Sequence, residues 1–284
     1  MEAAALQRGQ LEALRDVIER GLSDILPDPG DPPHRLHAAM RYAVLSPGKR
    51  IRPLLALLSA GHLGCPPGAA LPGACALELV HAASLVLDDL PCMDDSDARR
   101  GQPTVHVRYG EDVAVLTGVA LLNEAFAVLG RANHIPEASR LAMVSLLART
   151  VGTSGLIGGQ DKDLRGSVEP SLGFVSQLHH EKTGVLFIAS VEMGALAAGA
   201  DATVLEALRA FGKELGLAFQ ALDDLADGEE DKASVNLLSV LGRDGLRDEA
   251  GRRLERAKAA LADGAPQLVP LASYVDLLLR PAAA

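Results

Sequence analysis

Helical periodicity runs the length of this chain, and strand-like alternation is almost absent. Leu11, Leu14, Val17, Ile18 and Leu22 form one apolar stripe on a first helix. The segment from Asp28 to Pro33 breaks it, because proline removes amide donors and glycine loosens the backbone. A second breaker, Cys65-Pro66-Pro67-Gly68, separates a helix after Arg52 from one running toward Asp88. Further helices are predicted over Val113 to Arg131, Pro136 to Val151, Pro170 to Ala200, Thr203 to Ala226 and Leu246 to Ala262. No linker is biased enough to divide the chain and no fixed-period repeat occurs, so residues 1–284 are expected to form one all-α domain.

Composition narrows what such a bundle can do. With 27 Lys and Arg against 37 Asp and Glu the net charge is −10, which argues against nucleic acid as a partner. Aromatic residues make up only 3%, with no Trp, so the core must be Ala, Leu and Val. Small residues in VEMGALAAGA and FGKELGLAFQ permit close helix approach and would equally leave room for a cavity. Cys65, Cys75 and Cys92 are too scattered for a disulfide framework or a zinc site. The charged, amphipathic N-terminus lacks a secretory apolar region, and no apolar run approaches the roughly 20 residues of a membrane span. The longest candidate, Val185 to Ala200, is interrupted by Glu192. A soluble, cytoplasmic protein without a transmembrane segment is expected.

Two acidic clusters carry the chemistry. In DDLPCMDDSDARRGQPTVH, Asp88 and Asp89 end a long apolar run. On a continuous helix Asp88 and Asp94 would lie about 600° apart, on different faces. Pro91 should end the helix and allow Asp94 to return toward Asp88. Clustered carboxylates repel unless a cation sits between them, and an all-oxygen donor set suits magnesium. Arg99 and Arg100 follow at once and suit a diphosphate. A solvated acidic loop paired with its own arginines is the alternative. In FQALDDLADGEED, Asp223 and Asp227 are four apart, about 40° round a helix and so on one face. Gln220 lies one turn earlier. Two apolar helices that both end in carboxylates suggest two walls facing across a cavity. At SPGKRIRP, Lys49 and Arg52 stand just inside a helix start, where backbone dipoles favour anions. His81 lies on the helix leading to Asp88.

From about Leu36 to Gly242 the sequence resembles the trans-isoprenyl diphosphate synthases, or polyprenyl synthetases. The likeness is carried by GKRIRP, DDLPCMD with its trailing RRGQPTVH, GGQDKDL, EKTG and FQALDDLAD. HAASLVLDDLPCMDD is particularly similar to bacterial geranylgeranyl diphosphate synthases. The resemblance implies the isoprenoid synthase fold, antiparallel helices around a large central cavity, in a homodimer with a trinuclear magnesium cluster. By motif, Asp88, Asp94 and Asp223 would hold metal, with Asp89 and Asp227 in support. Arg99, Lys182, Thr183 and Gln220 would bind the allylic diphosphate, and Lys49, Arg52, His81 and Arg100 the isopentenyl diphosphate. Ionisation of the allylic diphosphate then needs no nucleophile, so Cys92 is expected to be a small packing residue.

Product length should be set by the cavity floor below Asp88. Ala83 and Ser84 lie about one turn deeper, where related farnesyl diphosphate synthases often carry an aromatic ring. Two small residues leave space for a twenty-carbon product; a farnesyl product is the alternative. The sequence departs from the family pattern at four places. Pro47 replaces a glycine before Lys49, Leu87 replaces a common His, and Glu181 puts a negative charge next to Lys182. After Asp227 the loop is short, with Lys232 its single nearby cation, expected to substitute for the usual loop lysines. That loop favours a weakly active or non-catalytic partner subunit as a second alternative. A class I terpene cyclase would share the fold, but 3% aromatics is poor material for steering a carbocation.

Overall fold

The computed structural model describes residues 2–165, 172–227 and 237–279. The described residues form an all-α bundle with one two-residue β ladder. Its helices are α1 (Glu2–Ile25), α2 (His34–Leu45), α3 (Ile51–His62), α4 (Pro67–Asp88), α5 (Val105–Tyr109), α6 (Glu111–Arg131), α7 (Glu137–Val151) and α8 (Leu156–Arg165). They continue through α9 (Leu172–His179), α10 (Val185–Ala197), α11 (Ala202–Asp227), α12 (Leu237–Gly264) and α13 (Val269–Leu278). The ladder pairs β1 (Ala98–Arg99) with β2 (Gln102–Pro103).

Helix α10 occupies the centre, packed against α3, α4, α7 and α11, while α6 backs α4 and α12 backs α11. Fully buried Leu54, Leu55, Leu77, Leu79, Phe187, Leu208, Phe211 and Leu215 fill the space between them. The small residues on α10 and α11 give close packing, as one of the two readings required. A Cβ on Gly194 would lie 2.0 Å from the Ala56 carbonyl oxygen, and one on Gly216 would lie 2.8 Å from the Gly184 Cα. This closeness holds α3, α10 and α11 side by side.

Most predicted helices appear within two residues of their expected ends, with three differences. The segment 170–200 is not one helix: α9 and α10 are joined by a π-helical turn, His180–Gly184. The last long helix, expected from Leu246, is preceded by a short helical segment from Leu237, the two separated by a non-helical Gly242 (φ 68°). Helices α2, α5, α8 and α13 were not expected. The absence of membrane-length apolar segments is also corrected. Pro67–Asp88, Glu111–Arg131 and Glu137–Arg165 are long and apolar enough to cross a bilayer by length and composition. The expectation sought uninterrupted apolar runs, whereas α4 reaches the same mean hydropathy through Ala and Leu with few charges between. It spends that surface inside the bundle, where twelve of its residues are buried. Cys65, Cys75 and Cys92 are all free thiols.

Candidate active site

The chain does turn back at Pro91. Helix α4 ends at Asp88, and the next residues fold over its C-terminus: Asp94 N–H donates to the Asp88 carbonyl (2.8 Å), Asp95 N–H to Leu90 (3.1 Å) and Ser96 N–H to Asp89 (3.2 Å). This brings Asp94 beside Asp88. Burial pushes the Asp88 carboxyl up to about 6; Lys182 and Arg99 oppose the shift, and Asp94 and Asp89 add to it. Asp89 faces the other way. It is buried, and both its oxygens accept from Arg99, from Nη2 at 2.6 Å and Nε at 2.9 and 3.0 Å. Asp89 therefore fixes Arg99 and is not placed as a metal ligand. Cys92 is exposed, not packed, because the turn carries it out to solvent.

Helix α11 ends at Asp227, with Asp223 exposed one turn earlier. The side chain of Asp227, like the whole of Lys232, lies outside the described residues. Asp224, to which no role was assigned from sequence, is buried and structural. It accepts from Gln220 Nε2 (3.0 Å) and from the Leu237 amide (2.8 Å), tying α11 to the start of α12. Gln220 in turn accepts from the Thr183 hydroxyl (3.1 Å), which joins two of the expected allylic-diphosphate residues.

The π turn and α8 lie side by side. A Cβ on Gly159 would come 2.6 Å from the Lys182 amide nitrogen, so this glycine permits the approach. Lys182 pairs with Asp163 and lies 3.9 Å from an Asp94 oxygen. Burial disfavours its ammonium, yet Asp163, Asp88 and Asp94 together raise its pKa. Glu181 does not place its charge against Lys182, as the sequence suggested. The turn directs its carboxylate to Lys162 (2.6 and 2.5 Å) and Gln177 (2.6 Å).

The basic residues line one pocket of about 590 Å³, bounded by Arg15, Lys49, Arg50, Arg52, Glu78, His81, Arg100 and Phe219 among others. Arg50 caps α3 in the left-handed region (φ 51°), and its guanidinium is wholly committed: to Glu19 at 2.7 Å, Glu78 at 2.7 Å and the Ser46 carbonyl at 3.0 Å. Arg52, its pKa lowered to about 10 by burial, meets His81 Nε2 at 3.4 Å. Burial and then Arg52, Arg100, Arg99 and Arg50 hold His81 neutral, its pKa well below the usual value. Arg99 and Arg100 are presented by the β1–β2 hairpin, whose central Arg100 (φ 53°) and Gly101 (φ 75°) both take the left-handed form that a two-residue turn requires. Arg100 donates to the Pro47 carbonyl (3.0 Å) and lies against Gly48, where a Cβ would meet it at 2.6 Å. Proline at 47 keeps the acceptor this contact uses, so the loop before Lys49 tolerates it. The Leu87 departure is equally local: its side chain fills the space over Gly118.

The two floor positions separate. Ser84 is half-buried on the accessible stripe of α4 with His81 and Asp88, its hydroxyl bonded to the His81 carbonyl (2.9 Å). Ala83 is fully buried in the core and lines no open space, which removes it from the floor.

Among the described residues, no three His, Cys, Asp or Glu side chains converge on one ion-sized point. The donor set nevertheless fits magnesium. Asp88 and Asp94 are carboxylates drawn together on one wall, and the cation now between them and α8 is the Lys182 ammonium.

A helical bundle with two carboxylate-ended walls and a cationic pocket beside them defines an isoprenoid synthase fold. The polyprenyl synthetase family model matches residues 33–239, and the chain belongs to that family. It is 41% identical over 268 residues to a geranylgeranyl diphosphate synthase of Pantoea ananas, covering 90% of this chain and 88% of that one. It is 42% identical to the heterodimeric geranylgeranyl pyrophosphate synthase large subunit 2 of Arabidopsis thaliana, covering 81% of this chain and 61% of that one. The apo crystal structure of an FPP/GFPP synthase from Zymomonas mobilis superposes with a TM-score of 0.90 at 35% identity, over 98% of this chain and 100% of that one. Prenyl diphosphate synthases generally use magnesium.

Proposed function

We propose that this trans-prenyltransferase condenses isopentenyl diphosphate with an allylic diphosphate, head to tail, to give geranylgeranyl diphosphate. The observation that carries this reading is the juxtaposition of the cationic pocket with the Asp88–Asp94 wall: helix α4 lines the pocket with Glu78 and His81 and ends at Asp88. Asp88, Asp94 and Asp223, with Asp227 in support, would hold a magnesium cluster of three ions. Magnesium, when bound, supplies charge that stabilises the departing diphosphate. The chain's own residues do the rest. Lys182, Thr183 and Gln220 hold the allylic diphosphate, and Arg99 adds its Nη1, which the Asp89 pair leaves unused. Lys49, Arg52, Arg100 and neutral His81 fix the isopentenyl diphosphate so that its double bond faces the ionising carbon. The C1–O bond breaks, the new C–C bond forms, and a proton leaves to the released diphosphate.

The open position at Ser84 favours the twenty-carbon product, and the geranylgeranyl synthases among the relatives point the same way. A farnesyl product is the alternative, with which the likeness to an FPP/GFPP synthase is compatible. Purified protein with magnesium, labelled isopentenyl diphosphate and dimethylallyl, geranyl or farnesyl diphosphate in separate tubes distinguishes them. Geranylgeraniol after dephosphorylation supports the reading, farnesol overturns the product, and no condensation with any starter leaves the partner-subunit role.

Helix α6 exposes Val115, Leu116 and Val119 along one apolar face, which supports a homodimer built on it. Val119→Glu should turn a dimer into a monomer by light scattering; a wild-type monomer would end that proposal. Free thiols throughout support a reducing, cytoplasmic setting.

A further inference from the structure

The cationic pocket has one wall that its motifs do not describe. Helix α1 lies before the family-matched segment, which begins at residue 33, yet it reaches the pocket. Its apolar stripe, Leu11, Leu14, Ile18 and Leu22, packs into the core. That seat turns Arg15 and Glu19, one turn apart, toward α3. Glu19 pairs with Arg50, the cap of α3, and so locks α1 beside Lys49 and Arg52.

Arg15 lines the pocket, and its Nε is buried without a hydrogen-bond partner. The Nε of Arg52, in the same pocket, is in the same condition. Among the described residues, Arg15, Lys49, Arg52 and Arg100 form no ion pair: Glu19 and Glu78 are held by Arg50, and Asp223 acts on Arg52 as a neighbouring charge without a salt bridge. A buried guanidinium donor left unmatched is costly unless a ligand completes it. In a chain of net charge −10, four cations without an ion pair facing one cavity, against Glu78 as its lining acid, suit an anion of high charge.

We propose that Arg15 is a further substrate-binding residue, which contacts the diphosphate of isopentenyl diphosphate from the α1 wall of the pocket. This makes α1 a functional wall of the site and not only a packing helix. The inference rests on the assignment of this pocket to isopentenyl diphosphate.

The test is steady-state kinetics on the full-length enzyme carrying Arg15→Gln or Arg15→Lys, with each substrate varied in turn. Loss of one charge-assisted contact should raise KM for isopentenyl diphosphate about tenfold or more in Arg15→Gln. KM for the allylic substrate, product length and Tm should stay as in the wild type, and Arg15→Lys should fall between. An unchanged KM for isopentenyl diphosphate overturns the proposal. So does an equal rise in both KM values, or a fall in Tm shared by the two variants, since either marks a purely structural role. Calorimetric titration with inorganic diphosphate reads Arg15 without turnover. If the wild type makes no product but binds diphosphate more tightly than Arg15→Gln, the residue's role stands and the catalytic reading fails.

Discussion

Glu78→Gln should destabilise the protein far more than one neutralised surface charge would. Glu78 and Arg50 have side chains only 5% and 3% exposed, with 2.7 Å between them, so neither can turn to water for compensation. Removing one partner of such a pair typically costs about 3–5 kcal/mol, because the remaining charge is stranded. Arg50 would keep Glu19, itself 39% exposed, and the Ser46 carbonyl, which places the cost near the lower end, about 3 kcal/mol. At roughly 2–4 °C per kcal/mol for chains of moderate size, Tm should fall by about 6–12 °C. Differential scanning calorimetry of the wild type, Glu78→Gln, Arg50→Met and the double variant makes the test specific. In the Arg50→Met background the Glu78→Gln change strands nothing and should cost little. An equal loss of Tm in both backgrounds would refute the reasoning, since the pair would then not be what Glu78 is buried for.

Ser84→Phe should shorten the main product by one isoprene unit with little change in Tm, read by chromatography of the dephosphorylated products; an unchanged product would remove Ser84 from the floor. Ala83→Tyr should instead lower stability by about 1–3 kcal/mol or more through overpacking, since its site has no open space; a stable variant with a shortened product would restore Ala83 to the floor. His81 is held neutral in the fold, its pKa depressed by burial and four guanidiniums, so the unfolded chain binds a proton there that the folded one does not. Stability from this group is fully present above the unfolded value of about 6.5 and is lost as pH falls below it. A urea series between pH 7.5 and 5 should therefore show a shallower decline for His81→Gln, and parallel curves would refute the assignment.

Much of the site could be read from sequence because its charges interrupt apolar helices. Asp88, Asp223, Lys49, Arg52 and the arginine pair all stand out for that reason, and the proline at 91 announced the turn that returns Asp94. What stayed hidden depends on partners distant in sequence. Asp224 differs from Asp223 only in which face of α11 it occupies, and its burial is decided by the amide of Leu237. Arg50 reads as one more basic residue between two ligands until Glu19 and Glu78 arrive from α1 and α4. Ala83 and Ser84 are adjacent and equally small, and only helix packing shows which of them faces open space. A π turn inserts one residue into a helical repeat, so periodicity carried the 170–200 segment straight through it.

Between α8 and the π turn, Lys162 faces Glu181 and Asp163 faces Lys182, so adjacent rungs carry opposite polarity. A slip of one residue would set Lys162 against Lys182, or Asp163 against Glu181. The four charges thus encode a single alignment. They also couple the histories of two positions. An acid at 181 is harmless to the Lys182 ammonium only while a base stands at 162, so lineages that drop one should drop the other. Sequences that carry a neutral residue at 181 are then expected to have lost the lysine at 162, a covariation that genomes record without any enzyme being assayed.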